Sequence, residues 1–156
     1  MATTTVEDIR QYIEIPQNYR EADLTNRIRE AEFADIRPQI GEAFLADLDA
    51  NPASGDNAAA LDLLKPAVSY YAFARHILNG QNHTTKLGFV KKENEYSSPV
   101  SLKELSQKAG DNRSLGLAYL EKFIKYVEEN KQSFPLYNSR GNFRKLGSKI
   151  AQSRKT

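Results

Sequence analysis

Two histidines, His76 and His83, are the side chains of this sequence best suited to proton transfer near neutral pH. A histidine that acts as a catalytic base needs a nucleophile or a metal ion beside it, and nothing in the surrounding sequence suggests one. The chain has no cysteine, which removes thiolate catalysis, disulfides and cysteine zinc sites, and two histidines alone cannot build a metal site. We therefore interpret both histidines as structural.

Three pairs of neighbouring glutamates could in principle divide acid and base roles between them. They are Glu30 with Glu32, Glu93 with Glu95, and Glu128 with Glu129. Each pair lies within a polar run, so we interpret its members as solvated. Glycine-rich phosphate loops and the HExxH, GxSxG and EF-hand patterns do not occur in the sequence. We predict that the protein is not an enzyme and takes no cofactor or metal ion.

Basic side chains are concentrated at the C-terminal end. Residues 136–156 contain six of the 22 lysines and arginines and none of the 20 acidic side chains, so residues 1–135 carry 16 basic and 20 acidic ones. A basic tail on an acidic body usually meets nucleic acid or an acidic protein surface. Phe143, Leu146 and Ile150 lie on one potential helical face of the tail. This spacing favours a segment that folds on a partner over the alternative of a disordered, solvating end.

These groups need a scaffold, and the sequence predicts a mainly helical one built around residues 57–80. Apolar residues there fall into two adjoining helical stripes, so more than half of the helix circumference is apolar. Such a helix is buried among other elements. We predict Asn57 as its N-cap, Gly80 as its C-terminal stop and a bend at Pro66.

Three capping boxes mark the starts of further helices, because a capping side chain is followed three residues later by an acidic one. They pair Thr5 with Asp8, Asn18 with Glu21, and Ser101 with Glu104. The second of these helices should end in a break near Arg37, because a residue before proline is pushed away from helical geometry. A short helix should follow the break.

The third capping box opens the longest predicted helix, which is either continuous to Asn130 or broken near Gly110. An apolar seam at near-heptad spacing runs along it. The seam consists of Leu102, Leu105, Ala109, Leu117, Leu120, Ile124 and Val127. An aromatic row formed by Tyr119, Phe123 and Tyr126 adjoins the seam, and we interpret it as core or subunit interface. Together the elements predict a small bundle of four to five helices.

Residues 81–100 are predicted to form a projecting β-hairpin or extended arm, because apolar and polar residues alternate over residues 85–90. Its turn is expected at residues 93–95. Such short strands are marginal in isolation, so the arm should pair with its own chain or with a neighbour. A plain surface loop is the alternative. Lys86, Lys91 and Lys92 form a basic patch here, which by itself is weak evidence for DNA contact.

The chain as a whole has the length and composition of one domain. Its 156 residues are 40% hydrophobic and 27% charged, which is typical of a soluble globular protein. The sequence contains no apolar run of the roughly 18 residues needed to span a membrane, and its beginning does not have the pattern of a signal peptide. The absence of cysteine fits a reducing compartment.

Several segments in this order resemble a known family. The segment LLKPAVSYYAFARHI is followed by Thr85, Gly88 and the run FVKK, and then by SPVSLKE, which opens the long helix. That helix ends in the segment EENKQSFPLY. The whole chain resembles the small head-to-tail connector proteins of tailed bacteriophages, which are also called adaptor or head-completion proteins.

The resemblance implies a helical connector domain over residues 1–135, with its hairpin at about residues 81–100, and a basic docking arm over residues 136–156. About a dozen copies would form a ring beneath the portal protein, extend the DNA channel and present a surface to tail or neck proteins. Packaged DNA would pass through the ring. The protein would be located in the virion neck after assembly in the host cytoplasm, without a membrane partner.

The resemblance also assigns roles to residues. The portal-docking arm would comprise Tyr137, Arg140, Phe143, Arg144, Lys145, Leu146, Lys149 and Ile150. The hairpin would meet the next subunit or the channel through Lys86, Phe89, Lys91 and Lys92. The alternative from another class is a nucleic-acid-binding helical protein whose basic tail contacts phosphates, and it would bind free DNA with a strong salt dependence.

Overall fold

The computed structural model describes residues 3–15, 20–79, 82–85, 88–91 and 101–137. In order, its helices are α1 (Val6–Tyr12), α2 (Glu21–Ala31), a π-helical turn (Glu32–Ile36), α3 (Arg37–Ile40), α4 (Glu42–Ala50), α5 (Gly55–Asn79) and α6 (Leu102–Glu129). The predicted fold class, a mainly helical bundle, is confirmed. No helix in these residues is long and apolar enough to cross a membrane.

Helix α5 is the centre of the bundle. It packs most extensively against α6 and also against α2 and α1. Leu64, Ala67, Val68 and Ala72 on α5 are fully buried, which confirms the prediction of a helix enclosed by other elements.

The start of α5 differs from the prediction. Asn57 is not the N-cap, because the helix begins at Gly55 and Asn57 is buried in its first turn. The Asn57 side-chain amide donates hydrogen bonds to the Asn51 carbonyl at 3.2 Å and to Asp47 Oδ2 at 3.5 Å. Asn57 therefore ties α5 to the end of α4, a role that depends on a neighbouring element and leaves no pattern within α5.

The first predicted capping box is present at α1. The Thr5 side chain accepts from the Asp8 amide, and Asp8 in turn accepts from the Thr5 amide at 2.8 Å. Burial alone would raise the pKa of Asp8, but the hydrogen bonds from Thr5 and the ion pair with Lys65 at 3.1 Å outweigh it, so the pKa is lowered. The ion pair between Asp8 and Lys65 links α1 to α5.

The boundaries of α2 differ from the prediction at both ends. Its N-cap is Arg20, which makes no side-chain capping bond, and Asn18 lies outside the described residues. The predicted break near Arg37 is wrong, because Arg37 is helical and Pro38 continues the helix directly after the π-helical turn. The chain leaves helical geometry at Gly41, whose φ of 90° favours glycine.

Helix α6 is continuous through Gly110, and the predicted Ser101 and Glu104 capping box is present. The prediction of the seam is wrong for two of its leucines. Leu102 is 84% exposed, because α6 begins seven residues before its first buried residue, Ala109. Leu117 is 42% exposed, because it lies at the edge of the seam that turns away from α5.

The buried part of α6 carries the aromatic row as predicted. Phe123 is fully buried, and Tyr119 and Tyr126 pack against the core. The Tyr119 ring stacks on Tyr70 of α5 at a centroid distance of 5.6 Å. Gly116 meets α5 at Tyr71, where an added Cβ would lie 3.1 Å from the ring. Aromatic rings and one glycine therefore set the contact between α5 and α6.

Strands β1 (Asn82–Thr85) and β2 (Gly88–Lys91) pair antiparallel, with Thr85 opposite Gly88. The predicted turn at residues 93–95 is therefore not the one that joins these strands, because it lies after β2. The predicted projection of this segment as an arm stays a prediction.

Candidate functional site

The structure describes few of the residues that the sequence assigned to a site. Of the predicted docking arm it describes Tyr137; the others, Arg140, Phe143, Arg144, Lys145, Leu146, Lys149 and Ile150, lie outside the described residues. Phe89 and Lys91 lie in β2, whereas Lys86 and Lys92 also lie outside the described residues. The candidate sites below therefore come from the bundle itself.

An aromatic cluster holds the root of the predicted docking arm. The Phe44 ring of α4 lies 6.2 Å from Phe123, 5.5 Å from Phe134 and 5.4 Å from Tyr137, measured between centroids. The Tyr137 amide donates to the Phe134 carbonyl at 3.0 Å. Burial, together with the charge of Glu128, raises the pKa of the Tyr137 hydroxyl. Tyr137 is thus packed on the core, and the remainder of the tail starts from a fixed point.

The π-helical turn buries a carboxylate. Glu32 accepts hydrogen bonds from the Thr3 amide at 2.8 Å and from the Thr3 hydroxyl. Burial raises the pKa of Glu32, the charge of Asp49 adds to this, and the Thr3 bonds oppose it. The expectation that Glu32 is solvated is therefore wrong, because the chain before α1 folds back over it. Glu30, its neighbour in the pair, forms an ion pair with Arg27 at 2.6 Å.

A bidentate ion pair fixes the π-helical turn against α5. Arg75 Nε and one terminal nitrogen donate to the two oxygens of Asp35 at 2.9 and 3.0 Å. The bonds to Asp35 raise the pKa of Arg75. Both side chains are about three-quarters covered, so the pair is screened less than one at the surface. The turn is consequently held on two sides, by Thr3 and by Arg75.

This fixed turn presents an exposed aromatic ring. Phe33 is 64% exposed, and the Arg37 guanidinium lies 5.1 Å from its ring centroid. Arg37 also pairs with Glu42 at 3.2 Å. Arg29, one turn before Phe33, is exposed and forms no ion pair with another described residue. We call Arg29, Phe33 and Arg37 the Phe33 patch. Aromatic and arginine side chains are the types that dominate protein-binding hot spots.

The solvent side of α6 is a second exposed surface with apolar groups. Leu115 and Leu117 are 46% and 42% exposed. Three small residues, two acidic residues, two lysines and these two leucines share this side of the helix. They are Gly110, Asp111, Ser114, Leu115, Leu117, Ala118, Glu121, Lys122 and Lys125, and we call them the α6 outer face. Lys122 lies over the Tyr119 ring at 5.2 Å, and Lys125 forms an ion pair with Glu129 at 3.9 Å.

His76, the histidine predicted to be structural within the central helix, is buried on α5. Its ring stacks on Phe73 at 6.4 Å. Burial lowers the pKa of His76, and the charge of Arg27 lowers it further while Asp23 opposes this. Among the described residues, no three histidine or acidic side chains are grouped as a metal site would require.

Sequence reasoning missed the Phe33 patch. Its signal was the spacing of Phe33 and Arg37, because residues four apart are neighbours on a helical surface. Because the sequence predicted a helical break near Arg37, Phe33 and Arg37 were not expected to be neighbours on one helix. Buried Glu32 left no such signal, because its partner Thr3 is 29 residues away in the chain.

Residues 28–146 match the model of a family described as a family of unknown function, DUF6712. The chain belongs to this family. The matched segment includes the π-helical turn, α5, α6 and the start of the basic tail, so both exposed surfaces described above fall within it. No match is found among curated proteins or among solved structures.

Proposed function

We propose that this protein is a structural component of a tailed bacteriophage, in which copies of it form a ring beneath the portal protein and join the capsid to the tail. The ring extends the channel through which the packaged DNA passes. The protein is assembled in the host cytoplasm and resides in the neck of the finished virion. In this proposal the chain has no catalytic role.

The observation that supports this proposal most directly is the fixed root of the tail. Phe134 and Tyr137 are packed on Phe44, and the next 19 residues carry all of the tail's basic side chains together with spaced apolar ones. A segment that starts from a rigid point loses less freedom on binding than one that starts from a mobile loop. This arrangement suits an arm that docks into a neighbouring protein.

In the proposed ring, the docking arm contacts the portal through Phe143, Leu146 and Ile150, with its basic side chains around them. The β1 and β2 segment, with Lys86, Phe89, Lys91 and Lys92, projects as an arm toward the next subunit or the channel. Short antiparallel strands gain stability when a further strand pairs with them, which an adjacent copy can supply.

The test is electron microscopy of the protein mixed with the portal protein encoded nearby. We expect a ring of helical subunits seated on the portal with the C-terminal arms inserted. A truncation of residues 138–156 should abolish this docking and leave the bundle folded, because it spares Phe134 and Tyr137. The truncation begins at residue 138 and not at residue 136, so that Tyr137 keeps its contact with Phe44. A portal that never carries the protein would refute the proposal.

The second candidate is a nucleic-acid-binding protein, and it is favoured by the six basic and no acidic side chains of residues 136–156. Two tail variants separate the candidates. Replacing Phe143, Leu146 and Ile150 by serine should abolish portal docking, whereas replacing the basic residues by glutamine should abolish DNA binding. Binding to free DNA that weakens steeply with salt, and that survives the serine variant, would favour the second candidate.

A further inference from the structure

We propose that residues 3–13, the segment that contains α1, form a strap that opens and closes over the π-helical turn while the rest of the bundle stays folded. We call this segment the N-terminal strap. The inference goes beyond the proposed function and does not depend on it. It follows from where the strap is attached, from the length of its helix and from the polar groups that its closure buries.

The strap is attached along one side of the bundle. Helix α1 packs against α5 and, less extensively, against α2. Its described residues make no contact with α4 or α6 that is comparable in extent to the contact with α5. The most extensive helix contact of the described fold, between α5 and α6, does not involve the strap. Opening of the strap therefore leaves that contact in place.

A small apolar contact and a few polar pairs hold the strap closed. Ile9 is fully buried and Val6 is nearly so. Three polar pairs add to this contact. They are Asp8 with Lys65 at 3.1 Å, Arg10 with Glu21 at 3.5 Å, and the Thr3 amide with Glu32 at 2.8 Å. The pair of Arg10 with Glu21 is largely exposed to solvent, so it adds little.

The helix within the strap is short. Helix α1 has only seven residues. A helix of this length is not stable in water on its own, because nucleation costs more free energy than so few hydrogen bonds return. The capping box of Thr5 and Asp8 reduces this cost but does not remove it. Helix α1 is therefore helical when it is docked and loses its helical structure when it is released, which gives the strap two distinct states.

Two polar groups oppose closure of the strap. The Thr4 hydroxyl is buried and has no hydrogen-bond partner among the described residues, so closure removes it from water without compensation. The Glu32 carboxylate is buried beside Thr3, and burial together with the charge of Asp49 raises its pKa. The charged form of Glu32 is therefore disfavoured in the closed state. Both groups regain water when the strap opens.

Opening also acts on the turn that presents Phe33. Thr3 holds the π-helical turn through Glu32, and Arg75 holds it through Asp35. An open strap releases the first of these two holds and leaves the second. Single π-helical turns occur frequently at functional sites, where their unusual geometry has to be stabilised by the surrounding structure. The strap thus links the N-terminal segment to the conformation of this turn.

The test is amide hydrogen exchange of the full chain, followed by mass spectrometry. We expect the slowest amides of α1 to exchange at least about tenfold faster than the slowest amides of α5 and α6, because opening of one segment requires less free energy than global unfolding. Low concentrations of urea should speed exchange in α5 and α6 more than in α1, because opening of the strap exposes less surface than global unfolding does.

Two matched substitutions of fully buried side chains distinguish opening of the strap from global unfolding and from fraying. Val127→Ala on α6 should speed exchange in α5 and α6 by about tenfold and leave α1 within about twofold of the unchanged chain, because it destabilises the closed and open states equally. Ile9→Ala should speed exchange in α1 by at least about tenfold, because it weakens docking of the strap. The amides of the π-helical turn should follow α1 in both variants. Circular dichroism spectra that match the unchanged chain confirm that each variant folds.

Three results would overturn the inference. If α1 exchanges no faster than α5 and α6, or if Val127→Ala speeds exchange in α1 as much as in α6, the strap opens only when the whole chain unfolds. If Ile9→Ala leaves exchange in α1 unchanged, the ends of α1 fray without release of the strap. If the π-helical turn follows α6 and not α1, the strap does not control the turn. None of these results bears on the connector function, which docking onto the portal tests separately.

Discussion

The two glycines of α6 give a stringent test of how α5 and α6 pack. At each position, alanine should gain about 1 kcal/mol from its higher helix propensity. At Gly110 the added methyl group would meet no atom within 4 Å, so we expect Gly110→Ala to raise the free energy of unfolding by about that amount. For a chain of 156 residues this corresponds to an increase in Tm of about 2–4 °C.

At Gly116 the same methyl group would lie 3.1–3.2 Å from three carbon atoms of the Tyr71 ring, whereas carbon atoms prefer a separation of about 3.5–4.0 Å. Burial raises the pKa of the Tyr71 hydroxyl to about 12, as expected for a ring enclosed between the helices. Overpacking of this kind costs about 1–3 kcal/mol, which cancels or exceeds the gain in propensity. We therefore expect Gly116→Ala to be less stable than Gly110→Ala by about 1–3 kcal/mol.

The measurement is urea unfolding followed by circular dichroism, at a concentration where each variant is monomeric and with equal m-values. A Tyr71→Ala background provides the control, because Gly116→Ala should become stabilising once the ring is removed. If Gly116→Ala is as stabilising as Gly110→Ala in the unchanged background, the contact between Tyr71 and α6 is wrong, and so is the explanation given for Gly116.

Three further predictions concern the core and the N-terminal segment. Phe44→Ala should lower the free energy of unfolding by about 3–5 kcal/mol in urea titrations, because it removes a buried ring that three others contact; a loss below about 1 kcal/mol would contradict the aromatic cluster. Burial raises the folded-state pKa of Glu32, so the stability of the unchanged chain should fall as the pH rises from the ordinary value of 4.5 through the raised one. Glu32→Gln removes this pH dependence. The Tm of the variant minus the Tm of the unchanged chain should therefore increase between pH 4 and pH 7, and a difference in Tm that stays constant over this range would refute the burial of the Glu32 charge. Thr5→Ala should cost about 1 kcal/mol through loss of the capping box of α1, whereas Thr25→Ala, whose hydroxyl bonds a carbonyl of its own helix, should change stability by less than about 0.5 kcal/mol; equal losses in chemical denaturation would contradict the cap.

Local patterns predicted a large part of the fold. The capping boxes at Thr5 and Ser101 are present because their partners lie three residues away, within the same turn. The burial of α5 followed from an apolar surface too wide for an outer helix. The aromatic row of α6 packs on the core because it lies on the same side of the helix as the buried seam.

Other features required the tertiary structure, because their partners are distant in the chain. Glu32 looks solvated in the sequence and is buried by Thr3, and Asn57 looks like a cap and binds the end of α4. Leu102 fits the seam by spacing, yet it is exposed because α6 starts before the core does. Periodicity gives the direction of a side chain around its helix but not where a neighbouring helix ends.

The candidate surfaces show the same division between what local sequence patterns predict and what requires the tertiary structure. Composition and order alone indicated a basic tail, a helical body and a resemblance to connector proteins, because these are properties of the linear chain. The Phe33 patch depends on a π-helical turn that Thr3 and Arg75 hold in place, and the α6 outer face depends on which side of α6 meets α5. Those arrangements arise from contacts between residues about 30 to 50 positions apart, which no local pattern encodes.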